Sequence, residues 1–265
     1  MSGAVANVIE RREFKYLIDA STANRLRAAI RPFCTLDPWA AKNPRGRYTI
    51  ESLYLDTAGL SLFWANDHEQ VDRIKMRVRG YPEVAGSPVF FEVKRRINDI
   101  ILKTRGRVPN AKWSRLLTDP AAPIPPEVTD KDRRAVERFV AISRTMHLRP
   151  FTLVRYEREP YFSNIDDYAR VTFDTCIRAQ VASDMSFASR ERGWRALDDA
   201  VTQRTLDSMI VLELKFTTHV PLWLVNIVER LGLTRRAFSK YGTAIRAFYA
   251  PVDPARTHHL AGGWR

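Results

Sequence analysis

The chain is short of everything that builds a disulfide framework, a thiolate metal cluster or a membrane span. Its 265 residues hold two cysteines, Cys34 and Cys176, far apart and outside any CxxC spacing, which excludes a zinc or dithiol motif and points to a reducing cytoplasm. The histidines, His68, His147, His219, His258 and His259, show no metal spacing, and the adjacent pair falls in the tail. Nowhere do about 18 apolar residues run together, and the opening MSGAVANVIERREF has no signal-peptide core, so a soluble chain without a transmembrane segment is expected. No GxxxxGKS or GxxxxGKT loop is present, so nucleotide phosphates would need another kind of cradle. Nothing repeats internally, and one core is expected. Negative charge is also in deficit: 30 Asp and Glu stand against 43 Lys and Arg, a net charge of +13. That balance asks for an anionic partner, whether nucleic acid, a phosphate compound or a membrane surface.

What the sequence does have is alternation. Residues 71–107, VDRIKMRVRGYPEVAGSPVFFEVKRRINDIILKTRGRV, contain three strand-like runs. Because strand side chains point alternately to opposite faces, Arg73, Lys75, Arg77 and Arg79 share one face while Ile74, Met76 and Val78 take the other. Glu92, Lys94 and Arg96 line up in the second run, and Lys103, Arg105 and Arg107 in the third. One such run is an ordinary solvated sheet face. Solvated faces mix charge signs, however, and here cations follow one another in strand after strand. Same-face neighbours are about 6.8 Å apart, where two like charges repel by roughly 2 kcal/mol at an effective dielectric of about 20. An enclosed face of this kind needs an anion.

Further strands are predicted at 8–18, 47–57, 151–159, 168–175, 177–183 and 209–216. Helices are predicted from Ser21 to Ile30, after Asp56 or Thr57, around 112–117, from an Asp130 cap to His147, after Pro221, and over RRAFSKYGTAIRAFY. Residues 37–46 read as loop. About eight strands with short connections and few helices favour an α+β class with an antiparallel sheet. With one charged and one apolar face, such a sheet is expected to close as a barrel, its lumen charged and its helices packed outside. The predicted domain spans residues 8–250, and 251–265 is expected to be a loosely ordered tail.

Seven short elements then carry a resemblance: Glu13–Tyr16, SLYLDT at Ser52–Thr57, KMRVRGY at Lys75–Tyr81, FFEVK at Phe90–Lys94, ILKTR at Ile101–Arg105, LELKF at Leu212–Phe216 and FSKY at Phe238–Tyr241. In this order they resemble the VTC domain, the catalytic domain of the vacuolar transporter chaperone polyphosphate polymerase, in the CYTH-like triphosphate tunnel metalloenzyme superfamily. The resemblance implies ATP and polyphosphate or triphosphate as ligands and a divalent metal, Mn²⁺ or Mg²⁺, as cofactor. By position it implies Lys75, Arg77, Arg79, Lys94 and Lys215 as catalytic residues, and Lys15, Lys103, Arg155, Arg170, Ser239 and Lys240 as phosphate-binding residues. Glu213 is the implied metal ligand, with Glu13 and Glu92 assisting, although a lone strand glutamate is more often a salt-bridge partner. Family polymerases also carry an inositol-phosphate-sensing domain and a membrane anchor. Neither is in this chain, which leaves open a separate membrane-protein partner and the oligomeric state.

Three functions compete at this level. The first is ATP-dependent polyphosphate synthesis. The second is hydrolysis of a triphosphate on the same fold, weakened because the usual ExExK signature here has arginine at its first position, Arg11, before Glu13 and Lys15. The third is a basic module that binds polyphosphate or nucleic acid without turnover. Nucleic acid is disfavoured because base stacking wants aromatic side chains among the cations, and in the run 71–81 that face offers Tyr81 alone, at its end.

Overall fold

In a computed structural model that describes residues 12–98, 100–166, 168–189, 192–217 and 219–249, the protein is an α+β chain built on a large antiparallel sheet. Its elements follow in the order β1 (Arg12–Ile18), α1 (Ala20–Ile30), β2 (Cys34–Leu36), α2 (Pro38–Ala41), β3 (Tyr48–Asp56), α3 (Ser61–Asp67), β4 (Asp72–Gly80), β5 (Val89–Ile97) and β6 (Ile100–Val108). Then come α4 (Trp113–Thr118), α5 (Asp130–Thr145), β7 (Arg149–Ser163), β8 (Ala169–Val181), β9 (Arg195–Ala196), α6 (Ala200–Gln203), β10 (Ile210–Phe216), α7 (Leu222–Arg230) and α8 (Lys240–Tyr249). Among the described residues no helix is long and apolar enough to cross a membrane. The predicted tail, 251–265, and the strand start at 8–11 lie outside the described residues.

Local chemistry explains where these elements depart from the pattern in the sequence. Asp19, not Ser21, caps α1, its carboxylate accepting the Thr22 amide at 2.6 Å; the negative charge also suits the positive end of the helix. Asp37 does the same for the short α2, in ground that reads as loop. Thr129 rather than Asp130 caps α5. The two strands expected at 168–175 and 177–183 are one, β8, whose ladder runs through a left-handed Cys176 at φ +52°.

Pairing gives the strand order β1, β10, β8, β7, β3, β4, β5, β6, with β2 on β7 and β9 on β8. The expected closure into a barrel is absent among the described residues: β1 and β6 end the order, and no pairing joins them. The outer edge of β1 is engaged by another segment. The Arg236 amide donates to the Lys15 carbonyl at 3.0 Å, so the residues expected to open the last helix run instead along β1, and α8 begins only at Lys240.

The chain divides into two compact units, and each has its own apolar cluster, where the sequence suggested a single core. The first unit comprises Met1–Tyr48, Glu157–Cys176 and Asp198–Phe238. In it, Tyr16, Val171, Phe173, Leu212 and Leu214 form the apolar sheet face, covered by Leu26 and Ile30 of α1 and Leu224 and Ile227 of α7. Phe33 stacks on Trp223 with centroids 5.0 Å apart.

The second unit comprises Thr49–Tyr156, Ile177–Leu197 and Ser239–Arg265. Here Leu53, Met76, Val78, Phe91 and Val93 lie under Trp113 and Leu116 of α4 and Val136, Phe139 and Val140 of α5. Phe91 and Phe139 meet at 4.4 Å between centroids. Gly106 is required by this packing, because a Cβ there would come within 2.8 Å of the Val136 side chain and 2.9 Å of the Asp132 carbonyl. With one face of each strand set committed to apolar packing worth about 1.5–3 kcal/mol per large side chain, the lysine and arginine files of β4, β5 and β6 take the other face.

Candidate functional site

Register decides which charges stand side by side in the second unit. Across β3, β4, β5 and β6, Tyr54, Arg77, Glu92 and Arg105 form one row. The next row is Lys75, Lys94 and Lys103, three ammonium groups on three adjacent strands. Arg79, Phe90 and Arg107 flank these on one side, and Arg73, Arg96 and Ile101 on the other. Glu92 is the one carboxylate in those four rows of β4–β6. Like charges directly opposed across a sheet are destabilising, and the lysine row sets three of them side by side.

Glu92 is the hub of the cluster. Its oxygens lie 2.7 Å from Arg77, 3.6 Å from Arg79, 3.1 Å from Lys103 and 3.4 Å from Arg105, and its side chain is 3% exposed. Burial opposes charging it, but Arg79, Arg77, Lys103 and Arg105 outweigh that and hold its carboxyl well below the usual carboxylate range. Lys103 feels the converse. Loss of water and the nearby Arg79 and Arg77 outweigh the attraction of Glu92 and bring its pKa down to about 8. The resemblance implies an assisting metal role for Glu92; in the structure four cations ring it, and it neutralises their cluster from within.

The start of α8 closes this face. Ser239 Oγ accepts the Gly242 amide at 3.1 Å, capping the helix, and takes a 3.5 Å contact from Lys75 Nζ. Lys240 is buried with its ammonium 4.5 Å over the Tyr156 ring. Tyr241 stacks on Tyr54 and donates its hydroxyl to Asp56 Oδ2 at 2.6 Å. Asp56 also accepts the Leu62 and Phe63 amides, so one buried carboxylate fixes α3 and α8 to the end of β3. Burial raises its pKa against these hydrogen bonds.

The first unit carries a second charged face, on β1, β10 and β8. Glu13 lies opposite Lys215, and Lys15 opposite Glu213, which in turn faces Thr172; Lys215 also faces Arg170. Lys15 Nζ is 3.3 Å from Glu13 and 3.6 Å from Glu213, while Lys215 Nζ is 2.7 Å from Glu213 and 4.0 Å from Glu13. Arg170 is exposed, its guanidinium over Phe162 at 4.3 Å.

Arg158, absent from the sequence-level site, is central here. It grips Asp174 through two 2.7 Å bonds and reaches Glu213 at 3.1 Å. Arg155, which the resemblance placed in the site, points to the other face. It bonds Glu51, with its Nε at 2.6 Å, and its guanidinium covers Trp194 at 4.7 Å. Glu51 pairs across the ladder with Gly80, on the side of Val78 and Leu53, so Arg155 is a structural ion pair on the covered face. Arg155 keeps step with Phe151 and Leu153, and Arg158 with Val154 and Tyr156. Arg105, in step with Lys103 along β6, joins the Glu92 row, although the resemblance gives it no role.

A cavity of about 350 Å³ also lies on that covered side, lined by Glu51, Val89, Trp113, Met185 and Phe187. Its walls also carry Ser87, Asn110, Ser114 and Ser186, and its carboxylate, Glu51, is already paired with Arg155.

The implied divalent cation can be tested against these donors. Among the described residues no group of three or more His, Cys, Asp or Glu is placed to hold a metal. What remains is Glu13 and Glu213, two carboxylates on adjacent strands sharing Lys15 and Lys215. Hard cations such as Mg²⁺ take one or two carboxylates and complete their shell with water and phosphate oxygens. This pair fits that pattern, and an all-protein cage is not needed.

Among solved structures similar to this chain, one supports the fold. An adenylyl cyclase candidate from Hippeastrum, described as having a dominant triphosphatase activity, superposes with a TM-score of 0.50 at 14% identity, covering 90% of this chain and 96% of its own. A structure described as an adenylate cyclase candidate from Bacillus halodurans gives 0.48 at 11% identity, covering 91% and 97%. A protein from Pyrococcus horikoshii gives 0.43 at 10%, covering 89% and 99%. No curated protein sequence matches the chain. The sequence model of the VTC domain matches residues 10–249, nearly the whole length, and the chain belongs to the VTC domain family.

Proposed function

We propose that the protein is a polyphosphate polymerase that moves the terminal phosphoryl group of ATP to the end of a phosphate chain and releases ADP. The observation that carries this reading is the lysine row, Lys75, Lys94 and Lys103, set beside Arg77, Arg79 and Arg105 with Glu92 as their shared counter-ion. Phosphoryl transfer asks the protein for positioning and for neutralisation of spread negative charge, and little covalent chemistry. Arginine forks and lysine point charges supply both. Glu213 and Glu13 would hold the divalent cation, which when bound would supply positive charge to offset that of the phosphates. Lys15, Lys215 and Arg170 would hold phosphate oxygens on the first unit's face, with Arg158, 3.1 Å from Glu213, orienting that carboxylate. Ser239 and Lys240 would do the same beside Lys75.

Hydrolysis of a triphosphate is the competing reading, supported by the activity described for the Hippeastrum protein. Arg11, which breaks the ExExK signature, lies outside the described residues. Product analysis decides. Purified protein given ATP with Mn²⁺ or Mg²⁺ is expected to make polyphosphate and ADP, and Glu213→Gln and Lys75→Ala are expected to abolish this in folded protein. Orthophosphate as the sole phosphate product would replace the polymerase with a hydrolase. Tight polyphosphate binding without turnover would leave a binding module.

A further inference from the structure

The charged face of the second unit is not uniform along its length. One row beyond Glu92 it changes character, because Phe90 stands between Arg79 and Arg107 in register and puts a half-buried aromatic ring among the cations. The Arg105 guanidinium lies over that ring at 3.6 Å, and its side chain remains 39% exposed. Tyr81 closes the group, with its ring edge-on to Phe90 at 5.8 Å and its hydroxyl 3.4 Å from Arg105. Arg79, 7% exposed, stands beside Phe90 in register, and among the described residues its buried Nε has no hydrogen-bond partner.

None of this serves a bare phosphate chain. A chain of phosphates offers oxygen atoms and no flat surface, and an aromatic ring in its path replaces a cation with something phosphate cannot use. A guanidinium backed by a phenyl ring and open on its other face is a platform for a planar, electron-rich ring. Arginine planes and aromatic side chains stack nucleobases in this way, with little preference among bases because each has a π-face.

We infer that Tyr81, Phe90 and Arg105 form the nucleoside end of the substrate face, stacking the base of a nucleoside triphosphate while Arg79 takes an oxygen of its phosphate nearest the ribose. The inference rests on the reading of this face as a phosphate track and adds to it a direction: nucleoside toward Phe90, terminal phosphate toward the row of Lys75, Lys94 and Lys103. Same-face rows are about 6.8 Å apart, so the lysine row lies two rows, roughly 14 Å, from Phe90. A triphosphate extended from a stacked base points toward it. Donor specificity should then be for a nucleoside with any base.

Calorimetric binding of ATP, GTP and inorganic tripolyphosphate to wild-type protein, Phe90→Ala and Phe90→Leu tests this. Wild-type protein is expected to bind ATP and GTP alike. Phe90→Ala is expected to weaken both by roughly tenfold, with tripolyphosphate affinity unchanged in the same sample, which also certifies that the variant is folded. Phe90→Leu keeps most of the packing and loses the stacking, so it should show the same selective loss. Equal losses for nucleotide and tripolyphosphate, or no loss for either, would overturn the inference. So would wild-type protein that discriminates strongly between ATP and GTP. Failure of wild-type protein to bind tripolyphosphate would instead sink the phosphate-track reading beneath it.

Discussion

Arg158 holds Asp174 in a two-pronged grip, Nε and Nη2 each 2.7 Å from a different carboxylate oxygen, with Asp174 wholly buried. The same Nη2 reaches Glu213 at 3.1 Å. A buried ion pair of this geometry is costly to break and cheap to replace. Arg158→Ala strands a carboxylate with no access to water and is expected to lower unfolding free energy by about 3–5 kcal/mol in urea titration. Arg158→Met combined with Asp174→Leu is expected to recover most of that loss while phosphate-chain binding stays impaired. A double variant that regained both would show that Arg158 is only a strut.

Glu92 permits a test by anion rescue. Glu92→Gln leaves Arg77, Arg79, Lys103 and Arg105 without their shared counter-ion, and a thermal midpoint well below wild type is expected. Inorganic tripolyphosphate should raise the midpoint more in the variant than in wild type, since it replaces the missing charge. The pH dependence has a definite sign. A carboxyl held well below its unfolded value, about 4.3 for glutamate, contributes stability that is present above pH 4.3 and disappears as pH falls through the folded value. Glu92→Gln should therefore flatten the acid limb of the stability curve.

Much of this was legible from alternation, and the failures have physical causes. The files on β4, β5 and β6 could be read because the partner file of each is mainly apolar, with Asp72, Arg95 and Thr104 as the exceptions, so parity assigns the face. β7 could not be read that way. Phe151 and Leu153 on one face and Val154 and Tyr156 on the other are all buried, so neither file looks outward, and Arg155 was assigned to the wrong one. Asp174 and Glu51 illustrate a second limit. Both are buried acids whose partners, Arg158 and Arg155, come from another strand, and spacing along one strand carries no information about which acid meets which base. The open order, with β1 and β6 at its ends among the described residues, was not legible either, and nothing in the composition of residues 234–239 says that the Arg236 amide will bond the Lys15 carbonyl on β1.

Lys103 should impose an upper pH limit on binding. With its pKa near 8, the ammonium discharges in mildly alkaline solution, and affinity for tripolyphosphate is expected to fall as pH rises through 8. Stability of the free protein runs the other way. Between pH 8 and the unfolded value of 10.5 the unfolded chain binds more protons, so stability rises with pH across that window. Lys103→Met should remove both slopes. An unchanged affinity profile in the variant would mean that Lys103 does not touch the ligand.

The row of Lys75, Lys94 and Lys103 sets stability against function. In the middle of the row, Lys94 faces a like charge on each side, and directly opposed like charges each cost roughly 0.2–1 kcal/mol. Lys94→Met keeps the length of the side chain and removes the charge, so the free protein is expected to become more stable by about 1 kcal/mol at low salt, with the gain shrinking as salt screens the wild-type repulsion. The same variant loses one charge-assisted contact, worth about 1.5–3 kcal/mol, and should bind tripolyphosphate at least tenfold more weakly. The two changes together distinguish a functional row from a decorative one, because residues kept for binding are commonly ones that stability alone would discard. If Lys94→Met destabilised the protein, or left affinity intact, the lysine row would be a solvated edge of the sheet, and the positioning of a phosphate chain would have to rest on Arg77, Arg79 and Arg105 alone.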